Sequence, residues 1–177
     1  MRLTLALLLL LAAPAALAQK HDHAQHRRAD SLIDRADSAH VPTGLTPDEV
    51  AGLREGRGMG LAKAAEFHSY PGPLHVLELA DALGLTDAQR AEAERLRMEM
   101  LAEARPLGAS IIEREEHLDR LFADGAATPE MVDRITAHIA EAQGQLRAVH
   151  LRAHVALRAA LTPEQIAEYD RLRGYTD

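Results

Sequence analysis

Cysteine and tryptophan are absent from the 177 residues, and other aromatics are few, with two Phe and three Tyr. Without cysteine there is no disulfide framework, thiol nucleophile or thiolate metal site, so stability must come from packing. Scarce aromatics and abundant alanine suit packed helices without a large central core, and do not suggest an enzyme pocket. A surplus of basic charge is also missing. Twenty Lys and Arg face 27 Asp and Glu, and the net charge of −7 argues against a nucleic-acid partner. The serines Ser31, Ser38, Ser69 and Ser110 stand in no nucleophile-elbow context. Gly56-Arg57-Gly58-Met59-Gly60 lacks the preceding strand and the spacing of a phosphate loop. The chain is therefore not expected to be an enzyme.

Long apolar runs are missing except at the start. Arg2, the apolar stretch Leu3 to Ala13 and the small-x-small Ala16-Leu17-Ala18 read as a secretory signal peptide over residues 1–18, cleaved after Ala18. The run is too short to span a bilayer, and Pro14 interrupts its end. With no cysteine after the cleavage point, a lipoprotein anchor is excluded. A soluble, exported, periplasmic protein is expected.

Residues 19–44 are polar and carry His21, His23, His26 and His40, which reads as a mobile, His-rich tail. Cleavage after Ala18 would leave Gln19-Lys20-His21, a free amine with histidine third that can wrap Cu(II) or Ni(II). An amino-terminal Gln readily cyclises, however, and loses that amine. Residues 45–177 form the expected all-helical domain.

At the centre of that domain is Leu85 to Leu161. Val132, Ile135, Ile139, Ala142, Leu146, Val149, Ala153, Ala156 and Ala160 recur at spacings of three and four, a continuous seam on one helix. Leu96, Met100, Ala104, Leu107, Ile111, Leu118 and Leu121 provide a matching seam on the arm before it. The turn at Ala123 to Ala127 folds the two arms into a long antiparallel helical hairpin, each arm ~50 Å long. Leu151, Val155 and Leu157 lie off the seam and call for a further partner, either flanking helices or a second copy in a homodimer. Pro106 removes a backbone donor and is expected to kink the first arm, with Gly108 softening the same place.

Helix starts are written out three times: Leu45-Thr46-Pro47-Asp48-Glu49, Leu85-Thr86-Asp87-Ala88-Gln89 and Leu161-Thr162-Pro163-Glu164-Gln165. In each, Thr is the N-cap, and Glu or Gln three residues on reaches back to the cap's own N–H. Thr128-Pro129 opens the second arm without the Gln. After Thr46, glycines Gly52, Gly56 and Gly60 fall four apart, either a smooth helix face for close approach or a loose helix. Tyr70-Pro71-Gly72-Pro73 breaks the chain. A short helix from Leu74 to Leu83 follows, ended by Gly84, and a last helix from Pro163 to Arg173 is expected to cross the open end of the hairpin.

Two copies of Leu-Thr-x-x-Gln, at Leu85–Gln89 and Leu161–Gln165, bracketing a helical hairpin in an exported chain, resemble the LTxxQ family. That family includes the periplasmic chaperones Spy and CpxP, the zinc-associated ZraP and the related heavy-metal sensor CnrX. The resemblance covers roughly Leu74 to Tyr169. It implies an all-helical, non-enzymatic envelope-stress protein, often a curved antiparallel dimer, that binds unfolded client proteins without ATP. The partners implied are such clients or a membrane stress-signalling protein. The chaperone's client face is basic, which here would require Arg95, Arg97, Arg114, Arg120, Arg147 and Arg152 to gather on one side.

The metal-sensing relatives suggest an alternative, a Zn, Ni or Cu sensor or resistance protein. They carry a histidine on a helix before the first motif, and late in the hairpin a His followed four residues later by Met. Here His75 occupies the upstream helix, and His150 and His154 lie one turn apart on one face. Counting back from the turn sets them level with Met98 to Glu103, so Met100 and Glu99 complete the candidate set His75, His150, His154, Met100 and Glu99. Arg158, four residues after His154, departs from the pattern and opposes a bound cation. The plain reading of His150 and His154 is surface residues beside the seam, and of His117 and His138, solvated ones. No cofactor is required on either reading, and a third possibility is a structural dimerisation scaffold.

Overall fold

Each long helix starts where a threonine caps it. In a computed structural model of the chain, which describes residues 41–176, α1 (Pro47–Glu55), α2 (Lys63–Glu66), α3 (Pro73–Glu78), α4 (Asp87–Ala123), α5 (Pro129–Arg158) and α6 (Pro163–Arg173) follow in order. The expected leader and histidine tail lie outside the described residues, apart from 41–44, where Val41 and Pro42 already pack inward.

The caps take the form expected of them. At α1, α4 and α6 the hydroxyls of Thr46, Thr86 and Thr162 accept the N–H of Glu49, Gln89 and Gln165, each at 3.2 Å. Those three side chains in turn accept the N–H of their own threonine at 2.8–3.0 Å. Thr128 caps α5 through Met131 N–H alone. Each such cap contributes ~1 kcal/mol.

The architecture is the expected all-α hairpin, α4 folded back on α5 through a turn containing Gly125, with short helices against it. Arg152 donates to Glu103 across the arms at 2.8 Å, the register counted from the turn. Among the described residues there is no strand, and no helix is long and apolar enough to cross a membrane.

Two clusters of buried residues hold the short helices to the hairpin. Val50 and Leu53 of α1 pack against Ala104, Ile111 and Ile112 of α4 and Ala142, Leu146 and Val149 of α5. At the open end, Val76 of α3 and Ile166 and Tyr169 of α6 join Ala93, Leu96, Leu157 and Leu161. The last helix therefore closes the hairpin as expected, and Leu45 and Leu161 staple beside Val50 and Ile166.

Four local expectations are corrected. The glycine helix stops at Glu55, because Gly56 takes the left-handed conformation (φ 74°) as its C-cap, so Gly60 lies outside it. The surface of Gly52 is covered by the Met59 side chain and faces no second backbone. The helix after the proline break ends at Glu78, and a run of turns carries the chain to Gly84 (φ 58°). On α4, Gly108 is a contact point: Leu53 of α1 lies so close that a Cβ there would meet its carbonyl oxygen at 2.1 Å. The helix continues through Pro106, which faces solvent.

The fourth correction concerns α5. Its buried face follows the seam to Ala153, then turns to His150, His154 and Leu157, leaving Ala156 exposed. The cause is chain 57–73, which crosses this side of the helix and covers it.

Candidate functional site

Between the crossing segment and the hairpin is a cleft of about 670 Å³. Gly56 to Gly60, Ala62, Lys63 and Glu66 form one wall, and Gly72 to His75 the end of it. Arg97, Met100, Leu101 and Arg105 come from α4, and His150 and His154 from α5. A helical chain without a large core thus does carry a cavity of ligand-binding size. It is made by the irregular segment that the composition says nothing about.

The two α5 histidines are buried, not the surface residues of the plain reading, at 3% and 5% exposure. For His154 a glycine makes this burial feasible. Gly58 lies on the His150 ring, and a Cβ at Gly72 would meet the His154 ring at 2.7 Å, so no other residue fits there without a shift. His154 Nδ1 lies 2.8 Å from the Tyr70 carbonyl. A carbonyl only accepts, so that nitrogen carries the proton and Nε2 keeps its lone pair. His150 Nε2 is fully buried without a hydrogen-bond partner.

Burial holds both imidazoles below their ordinary pKa, and for His150 the neighbouring His154 adds to the effect. For His154 the Tyr70 hydrogen bond and Glu66 oppose it, while His75 reinforces it. The pair is therefore neutral at pH 7.

His75 enters from α3, its Nδ1 3.0 Å from Glu78 and its Nε2 3.8 Å from Glu66. Glu66 also accepts the Tyr175 hydroxyl at 3.2 Å. Arg158, expected to oppose a cation, lies over the Tyr70 ring at 4.7 Å and outside the cleft lining.

Of the candidate metal set, the structure brings His75, His150, His154 and Met100 to one cleft. Glu99 is not with them. It pairs with Arg95 at 2.6 Å on the exposed side of α4. Among the described residues, no three His, Asp or Glu side chains converge as a metal site.

His117 and His138 are exposed, as expected. Four of the six arginines are already engaged. Arg95, Arg120 and Arg152 are each held to carboxylates, and Arg114 to the Ser110 carbonyl. Only Arg97 of the six lines the cleft, with Arg57, Lys63 and Arg105. Sequence reasoning missed Gly58, Gly72 and the Tyr70 carbonyl. The signals present were the glycine run Gly56 to Gly60 for the first and the Tyr-Pro-Gly-Pro break for the other two.

The two Leu-Thr-x-x-Gln motifs meet. Gln89 donates to Gln165 at 2.8 Å and to the Ala160 carbonyl at 3.0 Å, and Gln165 donates back to Gln89 at 3.0 Å and to the Leu83 carbonyl at 3.3 Å. Each glutamine is thus a cap and a cross-brace at once. An all-helical hairpin locked at its open end by paired glutamine caps defines the class. The model of the LTXXQ motif family matches residues 74–173, more than half the chain, and the protein belongs to that family. The family is of the Spy/CpxP-like type, typically periplasmic and non-enzymatic. No match was found among curated proteins or among solved structures.

Proposed function

We propose that the protein is a periplasmic envelope-stress protein that holds segments of unfolded or misfolded client chains in the cleft, without ATP. The observation that carries this reading is the cleft's apolar wall, in which Met59, Leu74, Met100 and Leu101 meet while Met59 and Leu74 remain nearly half exposed. Thioethers adapt to varied side chains, which suits a binder of many sequences. Suppression of client aggregation at near-stoichiometric protein tests it, with Met59→Asp and Leu74→Asp expected to weaken the effect. Absence of any suppression by the wild type refutes it.

A second reading, metal binding in a sensor or resistance protein, is favoured by the histidine pair. Burial without a partner at His150 Nε2, and a carbonyl that fixes the His154 tautomer, are what imidazole ligands require of their surroundings. His150, His154 and the Met100 thioether would hold Cu, Ni or Zn, which this chain would report to a membrane partner. Titration calorimetry with Zn(II), Ni(II) and Cu(II) decides. Tight binding lost in His150→Ala with His154→Ala supports the reading, and equal binding in that variant excludes it.

A further inference from the structure

We infer that the cleft selects client segments in which carboxylates stand beside large apolar side chains. This inference rests on the client-binding reading and specifies its substrate class. The chain carries a net charge of −7. Yet four cations, Arg57, Lys63, Arg97 and Arg105, line the cleft against two carboxylates, Glu55 and Glu66.

Of the two carboxylates one is taken up by a cation of the lining, and the other leaves the remaining three cations in excess. Glu55 pairs with Arg57 at 3.0 Å, and Glu66 accepts the Tyr175 hydroxyl and faces His75. Lys63 and Arg97 make no ion pair among the described residues. The Arg105 guanidinium reaches only the Glu55 backbone carbonyl, at 3.4 Å, which leaves its charge uncompensated. Arg90, Arg95, Arg120, Arg152 and Arg171, by contrast, are each paired with a carboxylate. His150 and His154 are held below their ordinary pKa by burial, so the cationic character argued here belongs to Lys63, Arg97 and Arg105.

An occupant complementary to this lining places Leu, Met or Phe against Met59, Leu74 and Met100, and Asp or Glu against the three cations. Inside a partly enclosed cleft, charge-assisted hydrogen bonds to guanidinium and ammonium are stronger than at an open surface. The acidic remainder of the protein repels such a segment, so the selection is made at contact, not by long-range steering.

The test is fluorescence anisotropy of the mature protein with three short peptides of the same apolar residues, carrying Glu, Gln or Lys at the intervening positions. The Glu peptide is expected to bind ~10-fold tighter than the Gln peptide, and the Lys peptide weakest. In Lys63→Glu with Arg97→Glu the preference for Glu over Gln should vanish, while the Gln peptide keeps its affinity within ~2-fold. Should that reversal perturb the fold, as circular dichroism would show, Lys63→Gln with Arg97→Gln and Arg105→Gln serves with the same expectation. Equal binding of the Glu and Gln peptides by the wild type overturns the inference and leaves client binding standing. A preference that survives in a folded variant overturns it too. Failure to bind any of the three peptides removes the client reading itself.

Discussion

A single methyl group at Gly108 tests whether α1 lies on α4 as closely as described. In a helix interior Gly→Ala ordinarily stabilises by up to ~1 kcal/mol, because alanine loses less backbone entropy on folding. At Gly108 that gain meets a steric cost. The added Cβ would lie 2.1 Å from the Leu53 carbonyl oxygen and 2.7 Å from its carbon, and these are backbone atoms that no rotamer change removes. Relief requires α1 to move outward by about an ångström, which loosens Val50 and Leu53 in the core; overpacking of this kind costs ~1–3 kcal/mol. Gly108→Ala is therefore expected to destabilise by a net ~1–2 kcal/mol, or a few °C in Tm for a domain of this size. Gly144→Ala is the matched control. It is also interior to a long helix but has nothing within 4 Å of its Cβ, so it should stabilise by up to ~1 kcal/mol. Urea unfolding of both variants gives the two signs. Gly108→Ala as stable as Gly144→Ala would refute the α1–α4 packing.

Three other outcomes follow from the same geometry. Gln89→Ala and Gln165→Ala should each cost ~1–3 kcal/mol and combine non-additively, since each glutamine donates to the other; strict additivity in a double-mutant cycle would deny the pairing. Both buried imidazoles have folded pKa values below the ordinary 6.5, so below pH 6.5 the unfolded chain binds protons the folded chain refuses. Stability is complete above 6.5 and falls as pH drops from there towards the lowered values, a window above that of the carboxylates, and His150→Gln with His154→Gln should flatten the Tm-versus-pH curve there; an unchanged slope contradicts the burial. Leu157→Ala should cost ~2–5 kcal/mol, whereas Ala156→Glu should stay within ~0.5 kcal/mol, and the reverse order would mean that α5 keeps its seam to the end.

That last pair marks where the sequence stops being informative. Caps, hairpin, turn and the register of Arg152 with Glu103 are legible because each is set by residues a few positions apart, or by counting from a turn. The seam up to Ala153 is legible for the same reason. Beyond it, which face of α5 is buried depends on what lies across it, and the covering segment 57–73 has no periodicity to read. The four-residue recurrence of Gly52, Gly56 and Gly60 coincides with helical spacing without making a helix face. Gly56 ends a helix, Gly58 is in ordinary contact with the His150 ring, and Gly72 is the one whose missing Cβ lets the His154 ring approach. His150 and His154 were therefore identifiable as a pair but not as buried. Glu99 was counted to the correct level of α4, yet it points to the side where Arg95 holds it.

The motif that identifies the family is accounted for by structure. Thr86 and Thr162 cap helices, and Gln89 and Gln165 cap, then clamp one helix start to the other. Their hydrogen-bonding groups are committed inside the hairpin's open end, so the motif fixes a scaffold and leaves client holding and metal binding equally compatible with it. The difference must come from residues the motif does not contain. Here those are on the segment between Glu55 and His75 and the α4 and α5 side chains beneath it: Met59, Leu74 and Met100 for an apolar occupant, Lys63, Arg97 and Arg105 for its charge, and His150 and His154 for a metal. The first two groups would address the same occupant of the cleft, whereas the imidazoles lack a third converging His, Asp or Glu among the described residues. Client binding would therefore make use of more of the cleft than metal binding would, and since the two share only Met100, the Lys63 and Arg97 variants and the His150 and His154 variants probe separate residues of one site.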